Sequence, residues 1–242
     1  MFRFKQFSVN NDGTAFKVGT DAVLLGASAS ITGSERRFLD AGTGTGIIGL
    51  MIAQRLNDAG NCSFFADAID ADAASASIAA ENFAASPWAS RLQAKRLTLS
   101  DLDSILADGD KYDLIVSNPP YFENSLRNPD LRRSAARHSS EEGLSWRTLV
   151  DFALKHLAPG GRLAMILPAD IASKAASSAT EKLPVIRILS IKTSLRRPVT
   201  RVVLELESGS IVKEPLEECL TIQENGVYTP AYLSLTEPFH VF

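Results

Sequence analysis

One short segment constrains this chain more than any other: Asp40-Ala41-Gly42-Thr43-Gly44-Thr45-Gly46. It lies between a strand-like run ending at Phe38-Leu39-Asp40 and an amphipathic stretch from Ile47 to Asn57. A strand, a glycine-rich turn and a helix in that order open a parallel α/β sheet whose ligand crevice lies at the carboxyl ends of its strands. Glycine lets a ligand approach the backbone without a Cβ clash. The helix behind the turn offers N–H groups that have no partner within the helix.

The alternation continues. Phe64 to Asp70 reads as a strand, Ala71 to Ala85 as an alanine-rich helix ended by Pro87, and Arg91 to Leu99 as strand-like. Tyr112 to Ser117 is a short buried strand, Trp146 to Leu157 a helix closed by Pro159-Gly160-Gly161, and Leu163 to Leu167 another buried strand. Strands alternating with helices predict a mostly parallel sheet covered on both faces. Val185–Thr193 and Val199–Glu207, joined by Ser194-Leu195-Arg196-Arg197-Pro198, predict an antiparallel hairpin at the carboxyl-terminal edge of that sheet. Before the core, Phe2 to Val18 predicts a β-hairpin turning at Asn10-Asn11-Asp12-Gly13, followed by a short helix capped by Thr20 or Asp21. At 242 residues the expectation is a single α/β domain, with 1–35 as an amino-terminal cap and 36–242 as the catalytic core.

Two ligand classes compete for the glycine turn. A dinucleotide site wants G-x-G-x-x-G, whereas this chain has G-x-G-x-G with Ile47 in the sixth place. Asp40, directly ahead of the glycines, sits poorly beside a pyrophosphate and well beside a cation. Asp70 ends the next strand, where a carboxylate can accept two ribose hydroxyls. These residues point to S-adenosylmethionine, which carries a sulfonium and an ammonium and no phosphate. A turn that merely tightens strand–helix packing would need neither acid.

The second motif, Asn118-Pro119-Pro120-Tyr121, directly follows the strand Tyr112–Ser117. Consecutive prolines fix φ and hold the preceding residues extended, giving a rigid bracket at a strand tip. The Asn118 amide oxygen and the Pro119 carbonyl can each accept one N–H of a planar amino group. Fixed acceptor dipoles favour the positive charge that builds on that nitrogen during methylation. Tyr121 can stack on the aromatic plane, worth about 1–3 kcal/mol per base. Read alone, the segment could also be an ordinary turn.

Together these residues resemble class I S-adenosylmethionine-dependent methyltransferases of the amino-methylating type. Lys5-Gln6-Phe7, Lys17-Val18-Gly19-Thr20-Asp21, Leu24-Leu25-Gly26-Ala27, Ser86-Pro87-Trp88-Ala89 and the tail from Tyr228 to Phe242 are similar to one subfamily, the bacterial tRNA1(Val) (adenine-37-N6)-methyltransferases. The resemblance implies a Rossmann-like methyltransferase sheet and S-adenosylmethionine as cofactor. It implies cofactor contacts from Lys17, Thr20, Asp40, Gly42, Gly44, Gly46, Asp70, Ala71, Asp101, Leu102 and Asn118, with Asp101 at the adenine. It implies Asn118, Pro119 and Tyr121 as the catalytic bracket. The loop from Glu123 to Leu144 matches the family least.

Charge bears on the partner. With 25 basic and 28 acidic side chains the chain is not a polycation, so nucleic-acid binding needs local patches. Arg127, Arg132, Arg133 and Arg137 cluster after the bracket, and Arg187, Lys192, Arg196, Arg197 and Arg201 cluster around the hairpin with no acid between them in sequence. Either set could simply be solvated. The implied partner is tRNA, contacted by Arg127, Arg132, Arg133, Arg137, Arg196 and Arg197. Single-stranded loop bases are the easiest to splay into a pocket. Phe122 could add a second stacking wall and His138 an RNA contact, while Trp88 and Trp146 read as core.

Other classes remain open. A glutamine amide is also a planar conjugated nitrogen, but a protein-glutamine methyltransferase carries a helical domain that 39 residues ahead of Asp40 cannot supply. A DNA adenine methylase would bring a target-recognition region, and a non-catalytic binding module would not need the intact bracket. Two distant cysteines and three scattered histidines predict no disulfide scaffold and no metal site. With no apolar run near membrane-spanning length and no signal peptide, the expected home is the cytoplasm; a monomer is expected separately.

Overall fold

The computed structural model describes residues 1–11, 19–107, 109–120, 143–212 and 214–240. In chain order the first elements are β1 (Phe2–Arg3), β2 (Ser8–Val9), α1 (Thr20–Ser28), β3 (Arg37–Ala41), α2 (Ile47–Asp58) and β4 (Phe65–Asp70). Then come α3 (Ala73–Ala84), β5 (Leu92–Arg96), α4 (Leu99–Ile105), β6 (Tyr112–Ser117), α5 (Trp146–His156) and β7 (Leu157–Pro168). The chain continues with α6 (Ala169–Ser177), β8 (Val185–Ser194), β9 (Val199–Glu207), β10 (Leu216–Glu224), β11 (Val227–Tyr228) and α7 (Pro230–Thr236).

Among the described residues, nine strands form one sheet in the order β11-β10-β8-β9-β7-β6-β3-β4-β5. The pairings β3–β4, β4–β5, β3–β6, β6–β7 and β8–β10 are parallel, while β9 runs antiparallel to both β7 and β8. The carboxyl ends of β3, β4, β5, β6, β7, β8 and β10 therefore share one edge. The β8–β9 hairpin forms as expected but is not the sheet edge, because β10 and β11 extend the sheet beyond β8. The consecutive acids Glu217 and Glu218 break the apolar alternation of Leu216–Glu224 and hide that strand in the sequence.

Successive residues of the central strands face opposite layers, as a pleated strand covered on both sides requires. Phe38, Leu114, Val116, Ala164, Ile166 and Val203 pack with α1, α2 and the amino-terminal residues Phe4 and Phe7. Leu39, Ile115, Leu163, Met165 and Leu204 pack with α4, α5 and α6. Asp40, between Leu39 and Ala41, is thereby turned toward α2. Nine of the twelve α2 residues are buried, because the helix lies between α1 and the sheet. Each fully buried Leu or Ile there contributes about 1.5–3 kcal/mol.

Several local expectations are corrected. The amino-terminal hairpin closes at residues 4–7, where Phe4 N donates to Phe7 O at 2.9 Å, and not at Asn10–Gly13. The reason is tertiary: Phe4 and Phe7 stack at 4.6 Å and are buried, so the apolar side chains sit in the turn. The expected second strand over Ala15–Val18 lies outside the described residues. Gly19, and neither Thr20 nor Asp21, precedes α1 as its cap, and Asp21 instead pairs with Arg201 at 2.8 Å. Pro159-Gly160-Gly161 lies inside β7. The helices α4, α6 and α7 are short, at seven, nine and seven residues, and leave little periodicity in the sequence.

Candidate active site

The glycine turn leaves β3 and enters α2 with Gly42, Gly44 and Gly46 at φ 72°, 57° and 81°. All three are left-handed, where side chains are strained. Their surroundings differ. A Cβ on Gly46 would lie 2.6 Å from the Phe83 ring, and one on Gly42 would overlap Leu144 Cδ2. Among the described residues, a Cβ on Gly44 would meet nothing within 4 Å. Packing thus fixes the outer two glycines, and Gly44 is the position left open to a ligand.

The turn is pinned from two neighbouring strands. Gly42 N and Thr43 N donate to Ile69 O at 2.9 and 3.0 Å, and Gly44 N donates to Asp70 Oδ2 at 2.9 Å. Asp70 Oδ1 accepts from Asp72 N at 2.9 Å. Both Asp70 oxygens therefore brace the backbone around the crevice, a role the ribose expectation did not include. Asp40 is fully buried; its Oδ2 accepts from Thr43 Oγ1 at 2.7 Å and from Gly49 N at 3.0 Å. Burial pushes its carboxyl up to about 6, against the pull of the Thr43 and Gly49 hydrogen bonds, and the nearby Asp70 charge adds to the rise. Its Oδ1 is buried without a hydrogen-bond partner among the described residues.

The bracket stands one strand away. β6 pairs with β3 in the register Ala41↔Ser117, so Asn118 leaves the sheet beside the start of the glycine turn. Asn118 is half-buried, Pro119 buried and Pro120 exposed. Asp70 ends β4 on the same edge with Ala71 directly after it, and Asp101 and Leu102 lie in α4, which follows the end of β5. Asp101 is the N3 member of a capping box: its Oδ2 accepts from Thr98 N at 2.9 Å and from Thr98 Oγ1 at 2.7 Å. Those bonds, the backbone one first, hold its carboxyl below the usual range. Leu102 turns its side chain into the core. Thr20 is exposed at the start of α1, which the Asp21–Arg201 pair draws toward the same edge.

Arg196 and Arg197 are exposed in the β8–β9 turn. Antiparallel pairing of Pro168 with Arg201 puts that turn at the carboxyl edge as well. The remaining arginines of that cluster are not a free patch. Arg187 bonds the buried Glu205 at 2.6 Å and Glu218 at 2.5 Å, and Arg201 holds Asp21. The acids come from other elements, which a local count of charge does not reveal. Trp88 and Trp146 are buried. Lys17, Tyr121, Phe122, Arg127, Arg132, Arg133, Arg137 and His138 lie outside the described residues. Ser117 and Leu144 were missed; Ser117 carries no motif signal, and Leu144 belongs to a loop with no periodicity to read.

Among the described residues no group of His, Cys, Asp and Glu could hold a metal ion, and no helix is long and apolar enough to cross a membrane. The crevice does fit S-adenosylmethionine. An unpartnered buried carboxylate oxygen suits a cationic ligand, and the open Gly44 backbone leaves room for one.

Known proteins agree. Residues 15–180 match the model of the methyltransferase small domain family. A tRNA1(Val) (adenine(37)-N6)-methyltransferase from Porphyromonas gingivalis is 39% identical over 99% of this chain and 94% of its own length. The protein of the same name from Parabacteroides distasonis is 40% identical over 99% and 97%. Among solved structures, a "predicted O-methyltransferase" from Agrobacterium tumefaciens superposes with a TM-score of 0.66 at 17% identity, covering 90% of this chain and 96% of its own, a likeness of fold. TYW2 from P. horikoshii, solved in complex with MeSAdo, gives 0.52 at 15% identity over 85% and 72%. With the fold and 39–40% identity over nearly the full length in agreement, the chain belongs to the tRNA1(Val) (adenine(37)-N6)-methyltransferase family.

Proposed function

We propose that this chain transfers the methyl group of S-adenosylmethionine to the exocyclic N6 of an adenine in tRNA, namely adenine 37 in the anticodon loop of tRNA1(Val). The observation that carries the reading is the adjacency of two rigid loops, the glycine turn after β3 and Asn118-Pro119-Pro120 after β6, at paired strand tips. A sequence likeness of about 40% to relatives of that name over nearly the whole chain supports the substrate.

S-adenosylmethionine, when bound, supplies an electrophilic methyl on a sulfonium. Asp40 and Asp70 set a negative field under its crevice, and Gly44 gives it room. The Asn118 carboxamide oxygen and the Pro119 carbonyl accept the two N–H bonds of the adenine amino group and aim its lone pair. The adenine nitrogen would form the new N–C bond as the sulfonium S–CH3 bond breaks, with S-adenosylhomocysteine leaving as the neutral thioether, and a proton then leaves the nitrogen to solvent, so no strong base is required. Orientation is the main lever, since well-aligned partners can gain an effective molarity of about 10⁵ M or more. Tyr121 stacks on the extracted base. Arg196 and Arg197, with Arg127, Arg132, Arg133 and Arg137, hold phosphates around it, contacts that position RNA without reading its sequence. We place the activity in the cytoplasm and assign it to a monomer.

The test is nucleoside mass spectrometry of a tRNA1(Val) transcript incubated with the enzyme and labelled cofactor. The expected result is N6-methyladenosine at position 37 and none when that adenine is replaced by guanine. Label appearing only in duplex DNA or in a protein glutamine would overturn the assignment.

A further inference from the structure

We propose that Asn82 is a positioning residue: one buried carboxamide ties the cofactor turn to the amino-terminal chain, so that cofactor affinity depends on it. The inference rests on the cofactor part of the proposed function and extends it to a residue that no motif marks.

Asn82 lies in the last turns of α3 and is buried. Its Nδ2 donates to Thr45 O at 2.8 Å and to Asn10 O at 2.9 Å, and its Oδ1 accepts from Asn10 N at 2.8 Å. Both amide protons and the carbonyl are therefore engaged. A carboxamide supplies two donors and an acceptor on one short, planar group. The Thr45 carbonyl belongs to the peptide whose N–H, that of Gly46, donates to Thr43 O at 2.9 Å. That peptide plane is held at both ends, and it lies one residue beyond Gly44, the one glycine of the turn that faces open space among the described residues. Asp40, Ile69 and Asp70 pin the rest of the turn from the sheet; Asn82 pins this plane from the helix layer.

The same amide clamps both backbone polar groups of Asn10, 72 residues earlier in the chain. Asn10 follows β2, whose Val9 is fully buried. Ordering of the cofactor turn and of the chain at Asn10 thus share one set of hydrogen bonds. By linkage, a ligand that orders one must be favoured by the other.

Asn82→Asp keeps shape and the acceptor for Asn10 N, but turns an oxygen onto the carbonyls of Thr45 and Asn10. Asn82→Ala removes all three bonds without adding repulsion. Calorimetry with S-adenosylhomocysteine is expected to show affinity lowered about tenfold or more in both, since leaving buried polar groups unpaired is costly. The KM for cofactor follows, whereas the KM for tRNA and kcat at saturating cofactor stay within about threefold. Backbone hydrogen exchange gives an independent readout. In the wild type, S-adenosylhomocysteine slows exchange of the Asn10 amide; in Asn82→Asp it does not. A variant that melts earlier but binds S-adenosylhomocysteine with unchanged affinity, measured where it is fully folded, overturns the proposal and leaves Asn82 a packing residue. A wild-type chain that binds no S-adenosylhomocysteine overturns the cofactor reading itself, and this inference with it.

Discussion

Ser117 Oγ donates a 2.7 Å hydrogen bond to the carbonyl of Ala41 across the β3–β6 pair, in a fully buried setting. Ala41 opens the glycine turn and Ser117 precedes Asn118. The two loops that must meet at the transferred methyl are thus fixed to each other at their roots.

The proposed function gives Asn118 its main role at the adenine amino group, beside the cofactor contact that the family resemblance implies. Asn118→Ala is expected to lower kcat by roughly 10²–10³, the usual loss for one preorganised polar contact on developing charge. Calorimetry should show S-adenosylhomocysteine affinity within a few-fold of wild type. Equal loss of both would make Asn118 a structural element of the crevice.

The three glycines of the turn should separate under substitution. Gly46→Ala meets the Phe83 ring and carries left-handed strain, so urea unfolding should report a loss of about 2–4 kcal/mol, the sum of strain and overpacking. Gly44→Ala has room in the free protein, and its stability should fall only by the strain of about 1 kcal/mol. Its cofactor affinity should fall more than that of any other single methyl addition in the turn.

Asp40 gives a pH signature. Its folded carboxyl is raised to about 6 from 3.8, so the folded state holds this proton more tightly than the unfolded chain does. The contribution is therefore favourable at low pH and is lost as pH rises from about 4 through 6. Asp40→Asn should remove that slope, so that the variant gains stability relative to wild type between pH 4 and 7, by an amount on the order of 1–3 kcal/mol. Chemical denaturation across that range checks it. In the wild type, affinity for the cationic cofactor should rise as pH passes 6 and Asp40 ionises.

The arginines of the carboxyl-terminal hairpin should divide into two classes. Arg196→Glu with Arg197→Glu should raise the KM for tRNA and flatten its salt dependence, with melting temperature and cofactor affinity unchanged. Arg187→Ala should instead destabilise the fold by about 3–5 kcal/mol, because it strands the buried Glu205. Denaturation and tRNA kinetics on the same two proteins distinguish the classes.

The amino-acid sequence by itself determined the strand–turn–helix frame, the mostly parallel sheet, the glycine turn with Asp40 and the Asn118-Pro119-Pro120 bracket. These follow from local chemistry: apolar periodicity, left-handed backbone that glycine tolerates, φ locked by proline. Only the tertiary structure decided that Leu216–Glu224 extends the sheet, that Phe4 and Phe7 bend the amino terminus early, and that Gly44 alone of the three glycines is open. It alone decided that Arg187 and Arg201 are spent on Glu205 and Asp21, and that Asn82 holds Thr45 and Asn10 together. The Phe4–Phe7 stack apart, these depend on partners 18 to 180 residues apart, and long-range pairing leaves no periodic trace near either residue.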